Sequence, residues 1–169
     1  PTAIIHDEAK LGDEVVVGPF SFIDRDVVIG DGTVIGSRVT ILPYTTIGKH
    51  NQIHAGAVLG DPPQDTPFNN DDVSHVVIGS DCVIREGVTI HRGTKPETTT
   101  TIGDNCFLMA FSHLAHNVQL GNGVILANGA LCGGYVEIGD LAFLSGNCGI
   151  HQFVHIGRLA MIGAVSMIT

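Results

Sequence analysis

At 169 residues the chain is long enough to bury one sizeable core and does not require a second domain. Its 22 glycines, absence of tryptophan, and 44% hydrophobic against 15% charged residues favour strands over helices. A formal charge of −9 without any lysine or arginine cluster excludes an electrostatic surface for nucleic acid or anionic membrane. No apolar run approaches the roughly 20 residues of a membrane span, and no charged-then-apolar leader opens the chain, so a cytoplasmic setting is expected. Cys82, Cys106, Cys132 and Cys148 form neither a CxxC motif nor close pairs, and read as small reduced core residues.

Taken in chain order, every sixth residue is aliphatic from Ile5 through Leu11, Val17, Ile23, Ile29, Ile35, Ile41, Ile47 and Ile53 to Leu59. Residues 61–77 (DPPQDTPFNNDDVSHVV) break that register, and their Pro, Asn and Asp content predicts an external loop. The series resumes at Ile78, Ile84 and Ile90 before a second polar, turn-forming loop over 95–101 (KPETTTT). From Ile102 it continues without a break to Ile168, and only Cys132 departs from the aliphatic type. The residue after each aliphatic is usually glycine or another small or polar residue, and the one two before it is small or β-branched, as at Ser21, Thr33, Cys82 and Ala130.

A period of six suits neither a helix at 3.6 nor a free strand at 2. One large inward residue, one small inward residue and a turn describe one flat side of a parallel solenoid. Three sides close a triangular coil, so residues 18 apart stack one rung up, roughly 4.8 Å away. The pattern resembles the hexapeptide-repeat family, whose members are left-handed parallel β-helices and mostly acyltransferases. The resemblance implies an all-β chain, a single left-handed parallel β-helix over 1–169 with two external loops. A globular sandwich would require the six-residue register to be an accident. The repeat stops in mid-unit at Thr169, so a cap or further native sequence is expected beyond it.

Stacking arithmetic places the histidines. With 95–101 outside the coil, the units at Ile90, Leu114, Cys132 and Ile150 lie above one another. Arg92, His116, Gly134 and Gln152 then form one column, and His91, Ala115, Gly133 and His151 the column beside it. His113 is expected at the end of the preceding side, at a corner. His6, His50, His54, His75 and His155 are scattered, and read as solvated histidines of turns or a loop.

Such a cluster suits two chemistries. Neutral imidazoles bind Zn²⁺, as in the zinc enzymes that resemble γ-type carbonic anhydrases, but His113 and His116 lack that class's spacing. An imidazole, with a reference pKa of roughly 6.5, is also the side chain best matched to taking a proton from a hydroxyl near neutral pH. Gly134, one rung above His116, offers a backbone N–H that could bind the oxyanion of a tetrahedral intermediate.

The motifs REGVTIHRGT (85–94), Gln64–Asp65, HLAHN (113–117), ILANGA (125–130) and IHQF (150–153) occur in an order and spacing that resemble the UDP-N-acetylglucosamine O-acyltransferase family. That family moves a 3-hydroxyacyl chain from acyl carrier protein to the sugar 3-hydroxyl, the first step of lipid A synthesis, and works as a homotrimer. By position, the resemblance implies His116 as general base and Gly134 as oxyanion donor. It implies substrate contacts for Gln64, Asp65, His113, Tyr135, His151 and Gln152, and an acyl groove at Gly146, Met161 and Ala164. Neither metal nor organic cofactor is implied. Three positions depart from the family pattern: Pro67 stands in place of a lysine, Tyr135 of a histidine and Asn117 of an aspartate. The family's C-terminal helical domain has no counterpart among these residues, and the acidic chain would repel an acidic carrier protein. The related nucleotide-sugar N-acyltransferases, and a solenoid scaffold without activity, are the other readings.

Overall fold

Each aliphatic residue of the series anchors one side of a coil, and three anchors per turn fill the axis of a prism. In the computed structural model, which describes residues 2–169, the chain is a left-handed parallel β-helix of short strands with no helix among the described residues. Its three faces are parallel sheets of nine, eight and eight strands. The first face begins with Ile4–Ile5, Phe22–Ile23, Thr40–Ile41 and Val58–Asp61. It continues through Thr89–His91, His113–Leu114, Leu131–Cys132 and Gly149–Ile150 to Met167–Ile168. The predicted register holds, with Leu114 opposite Ile90 and Cys132, and Cys132 opposite Ile150.

The core is that column of anchors. Ile23, Ile41, Leu59, Ile90, Leu114 and Leu144 are fully buried, each stabilising the fold by about 1.5–3 kcal/mol. The small residues two positions earlier are buried beside them, and the four cysteines are free and buried among both sets. Between faces the chain turns sharply, and a residue in the left-handed conformation recurs at the corners. Asn117, Tyr135 and Phe153 are three of these, with φ of 61°, 61° and 66°. Left-handed geometry costs a non-glycine residue about 1–2 kcal/mol. Rung bonds hold it here: Tyr135 N–H donates to His116 O and Phe153 N–H to Gly134 O, both at 3.0 Å.

The strands reach further into the two interruptions than their composition predicts. Asp61 ends the strand Val58–Asp61, His75–Ile78 is a strand, and Thr99–Thr101 belong to the strand Thr99–Ile102. The segments outside the sheets are therefore 62–74 and 92–98 rather than 61–77 and 95–101. His75, Val76 and Val77 pair with Thr99, Thr100 and Thr101, so each insertion satisfies its backbone groups on the other instead of leaving them orphaned. Both segments leave the prism at one corner, between the first and second faces. Gly60, at φ +87°, is the extra residue of a bulge between the pairs Leu59–Ile90 and Asp61–His91. There a Cβ would lie 2.2 Å from Thr45 Oγ1, so only glycine fits.

Candidate active site

The first-to-second corner of successive coils carries most of the residues singled out above. His113 is not at a corner: it lies in the strand His113–Leu114, opposite Thr89 below and Leu131 above. Leu114 must face inward, so the residue before it points to the outside of the sheet. His113 Nδ1 is 2.7 Å from Thr89 Oγ1, and its ring meets His91 edge-to-face at 4.7 Å between centroids. His91 is 5% exposed. Burial lowers its pKa, with the charge of His116 adding to the effect. Burial, and then the charge of His91, lowers His113 to about 4. Both are therefore neutral at pH 7.

His116 stands at the corner itself. Its Nδ1 lies 3.1 Å from Asn117 Oδ1. That same oxygen, 3.0 Å from Thr94 N, accepts the Thr94 N–H, which fixes it as the acceptor end of the amide. Nδ1 must then carry the imidazole proton, leaving Nε2 with a free lone pair. The ring sits against Gly134, where a Cβ would fall 2.4 Å from Cε1 and 2.6 Å from Nε2. The Gly134 N–H has no acceptor among the described residues, while its carbonyl holds Phe153 in the next coil. Tyr135 meets the His116 ring edge-on at 5.2 Å and stacks on Phe153 at 5.0 Å.

Two depressions flank this imidazole. One, of about 530 Å³, runs up the outside of the first face past His113, Leu131, Gly133, Gly149, Ile150 and Met167. Gln64, His91, Gly134, His151 and Gln152 also border it, and apart from the imidazoles its walls are mostly apolar. The other, of about 420 Å³, is polar and lies on the loop side, lined by Asp65, Thr94, Lys95, Tyr135, Gln152 and Phe153. There Asp65 Oδ2 accepts the Thr94 hydroxyl at 2.5 Å. His116 borders both.

The remaining positions are not brought to this cluster within the chain. Met161 lies on the third face, in the strand Met161–Ile162, and Gly146 and Ala164 lie in the turns that join that face to the first. His75 and His155, expected in a loop and a turn, lie in strands, 3.7 Å from Glu97 and 3.0 Å from Glu137. Among the described residues no group of three or more His, Cys, Asp or Glu side chains is placed to hold a metal ion. Thr89 and Asn117 already engage the Nδ1 atoms of His113 and His116. His91 and Thr94 join the site without a role assigned to them from the sequence. Stacking places His91 in the column beside that of His116; Thr94 is only the last residue of the motif 85–94, and nothing in the register ties it to Asp65.

Comparison with known proteins bears on the fold and the family. Residues 26–61 and 99–134 match the bacterial transferase hexapeptide (six repeats) family. An acyl-(acyl-carrier-protein)–UDP-N-acetylglucosamine O-acyltransferase of Campylobacter concisus is 40% identical over 169 residues, which is 99% of this chain and 64% of that protein. The enzyme of the same name from Synechocystis is 49% identical over 118 residues, 70% of this chain and 42% of its own length. The solved UDP-N-acetylglucosamine acyltransferase of Francisella novicida superposes with a TM-score of 0.97 at 40% identity, covering 99% of this chain and 61% of that one. The chain thus spans less than two thirds of these relatives. The repeat register and these likenesses place the chain in the hexapeptide-repeat acyltransferases, within the UDP-N-acetylglucosamine O-acyltransferase family.

Proposed function

We propose that this β-helix transfers a 3-hydroxyacyl chain from acyl carrier protein to the 3-hydroxyl of UDP-N-acetylglucosamine, in the cytoplasm and without a cofactor. The observation that carries the reading is one imidazole, its Nε2 bare, set between an apolar and a polar depression and against a glycine with an unused N–H. In the polar cleft Asp65 and Gln152 would bind sugar hydroxyls, and Lys95 is the cation available to the diphosphate. His151, His113 and Gln64 would line the passage for the thioester.

His116 Nε2 takes the proton of the sugar hydroxyl as its oxygen attacks the thioester carbonyl. The Gly134 N–H donates to the oxyanion of the tetrahedral intermediate. Collapse breaks the C–S bond, the imidazolium returns its proton to the leaving thiolate, and the ester and free carrier thiol depart. Asn117 holds the tautomer without contributing a charge.

Three-fold packing of such prisms would seat Gly146, Met161 and Ala164 of one copy against the first-face depression of the next, closing a groove for the acyl chain. The exposed positions of Leu131 and Met161, at 50% and 73%, support an assembly that covers them. Light scattering at three times the chain mass tests this.

The transfer itself is tested by mass detection of acylated UDP-N-acetylglucosamine from a 3-hydroxyacyl carrier-protein donor. His116→Ala is expected to lose about 10²–10⁴-fold or more in kcat with an unchanged melting temperature. A variant with wild-type rate, or one whose activity follows added zinc, would sink the assignment.

A further inference from the structure

Arg92 is the most deeply buried cation of the chain, at 8% exposed, and nothing in the chemistry above uses it. It ion-pairs with no carboxylate among the described residues, and burial pushes its guanidinium below the usual arginine range. Its partners are of another kind. The guanidinium carbon lies 5.7 Å from the Tyr44 ring centroid and 5.0 Å from that of Phe68, and Nη1 donates to Asp72 O at 2.7 Å. The Arg92 backbone N–H donates to Asp61 O at 3.0 Å. One residue, where the second insertion leaves the coil, therefore grips the 62–74 segment at its root, its middle and its end, while Tyr44 supports it from the coil below.

The gripped segment carries Gln64 and Asp65. Phe68 N–H donates to Asp65 O at 3.0 Å, so the ring lying on Arg92 and the carboxylate facing the polar cleft belong to one turn. The second insertion binds the far end of the same segment: Glu97 N–H donates to Val73 O at 2.8 Å, and the Ser74 hydroxyl to Gly93 O at 2.6 Å. Apart from Arg92, Asp65 is tied to the scaffold through the Thr94 hydroxyl.

We propose that Arg92 is a positioning residue, a latch that holds the 62–74 segment against the prism so that Asp65 meets the acceptor sugar. The proposal rests on the polar cleft being the acceptor site. A desolvated guanidinium between aromatic faces interacts more strongly than an exposed one. Losing it lets the segment populate open states, and an acceptor then binds in proportion to the fraction that remains closed.

Arg92→Ala is expected to raise the KM for UDP-N-acetylglucosamine about tenfold while the KM for the acyl carrier-protein donor stays within about twofold. Arg92→Lys keeps the charge but loses the planar stack, and should fall between. Phe68→Leu should act on the acceptor side alone, and its combination with Arg92→Ala should cost less than the product of the two, because both remove one contact. Hydrogen exchange should quicken at 62–74 in each variant and stay unchanged in the strand Ile125–Leu126. Equal changes in both KM values, or unchanged exchange of the segment in a folded variant, overturn the latch. If the wild-type protein acylates no UDP-N-acetylglucosamine, the acceptor reading fails by itself and the exchange comparison still decides the latch. If Arg92→Ala does not fold, Phe68→Leu decides it in the same two measurements.

Discussion

Replacing Gly134 by alanine leaves the proposed oxyanion donor in place and strikes the base. The backbone there is not left-handed, so a methyl group is tolerated locally and the only obstruction is the His116 ring, 2.4 Å away at Cε1 and 2.6 Å at Nε2. Ordinary carbon contacts begin near 3.5 Å, so the imidazole must retreat by about 1 Å. Nδ1 is tied to Asn117 and the ring edge is packed on Tyr135, so the retreat carries Nε2 out of its hydrogen-bonded orientation. A displacement of about 1 Å at a reacting group is expected to lower kcat roughly 10²-fold. Stability should barely change, because alanine at a compatible glycine site contributes about 0.4–1 kcal/mol through the unfolded chain, offsetting the crowding. Gly133→Ala is the contrasting case: its Cβ would meet the Gln152 backbone nitrogen at 2.8 Å, which cannot swing away, so folding suffers as well. Steady-state acyl transfer and calorimetric melting of both variants decide the matter. Gly134→Ala with a rate within about threefold of wild type, at an unchanged melting temperature, would refute the placement of the base.

Asn117→Asp puts a negative charge beside Nδ1, which stabilises the imidazolium formed as the hydroxyl loses its proton. kcat should rise by about tenfold, and an unchanged kcat would show that residue 117 does not face the base. The pKa of His113 is depressed to about 4 by burial and by His91, so between pH 6.5 and 4 the unfolded chain binds more protons than the folded one. Melting temperature should therefore fall as pH drops through that window, and His113→Gln should flatten the fall. Ala164→Gly removes a methyl from a wall that a rigid solenoid cannot rearrange, and should lengthen the preferred acyl chain by about one or two carbons. A panel of 3-hydroxyacyl carrier-protein donors giving an identical length profile would remove Ala164 from the groove.

The coil was legible in the sequence because one repeating constraint, a large inward residue every sixth position, acts on every side of it. Knowing that Leu114 stacks on Cys132 is enough to set His116 against Gly134, and the contact is as close as that arithmetic implies. Periodicity also told that His113 and His91 are near neighbours, although His113 proved to be a strand residue bonded to Thr89. The bond from Thr94 to Asp65 was invisible, since it joins two segments outside the repeat whose paths depend on each other. Composition misjudged the ends of those segments for a related reason. Thr99–Thr101 look polar and turn-forming when read alone, yet they pair as a strand because His75–Val77 supply the partner. The roles proposed for Gly146, Met161 and Ala164 would depend on a neighbouring copy, and no periodicity within one chain encodes which face a neighbour covers.

A stack with an 18-residue pitch, visible in Leu114 beside Cys132 and Cys132 beside Ile150, has a consequence for how such a rod can change length. One whole turn spliced in between Phe22–Ile23 and Thr40–Ile41 lengthens the prism by roughly 4.8 Å and leaves every distance at His116 as it was. The same turn spliced between His116 and Gly134 preserves the core, the corners and the hydrogen-bonded rungs, yet moves the N–H donor a full storey away from the imidazole. A filter for folding passes both rods, and only a filter for chemistry separates them. Overall length is thus free to drift among descendants of such a chain, while the proposed chemistry would pin the interval from His116 to Gly134.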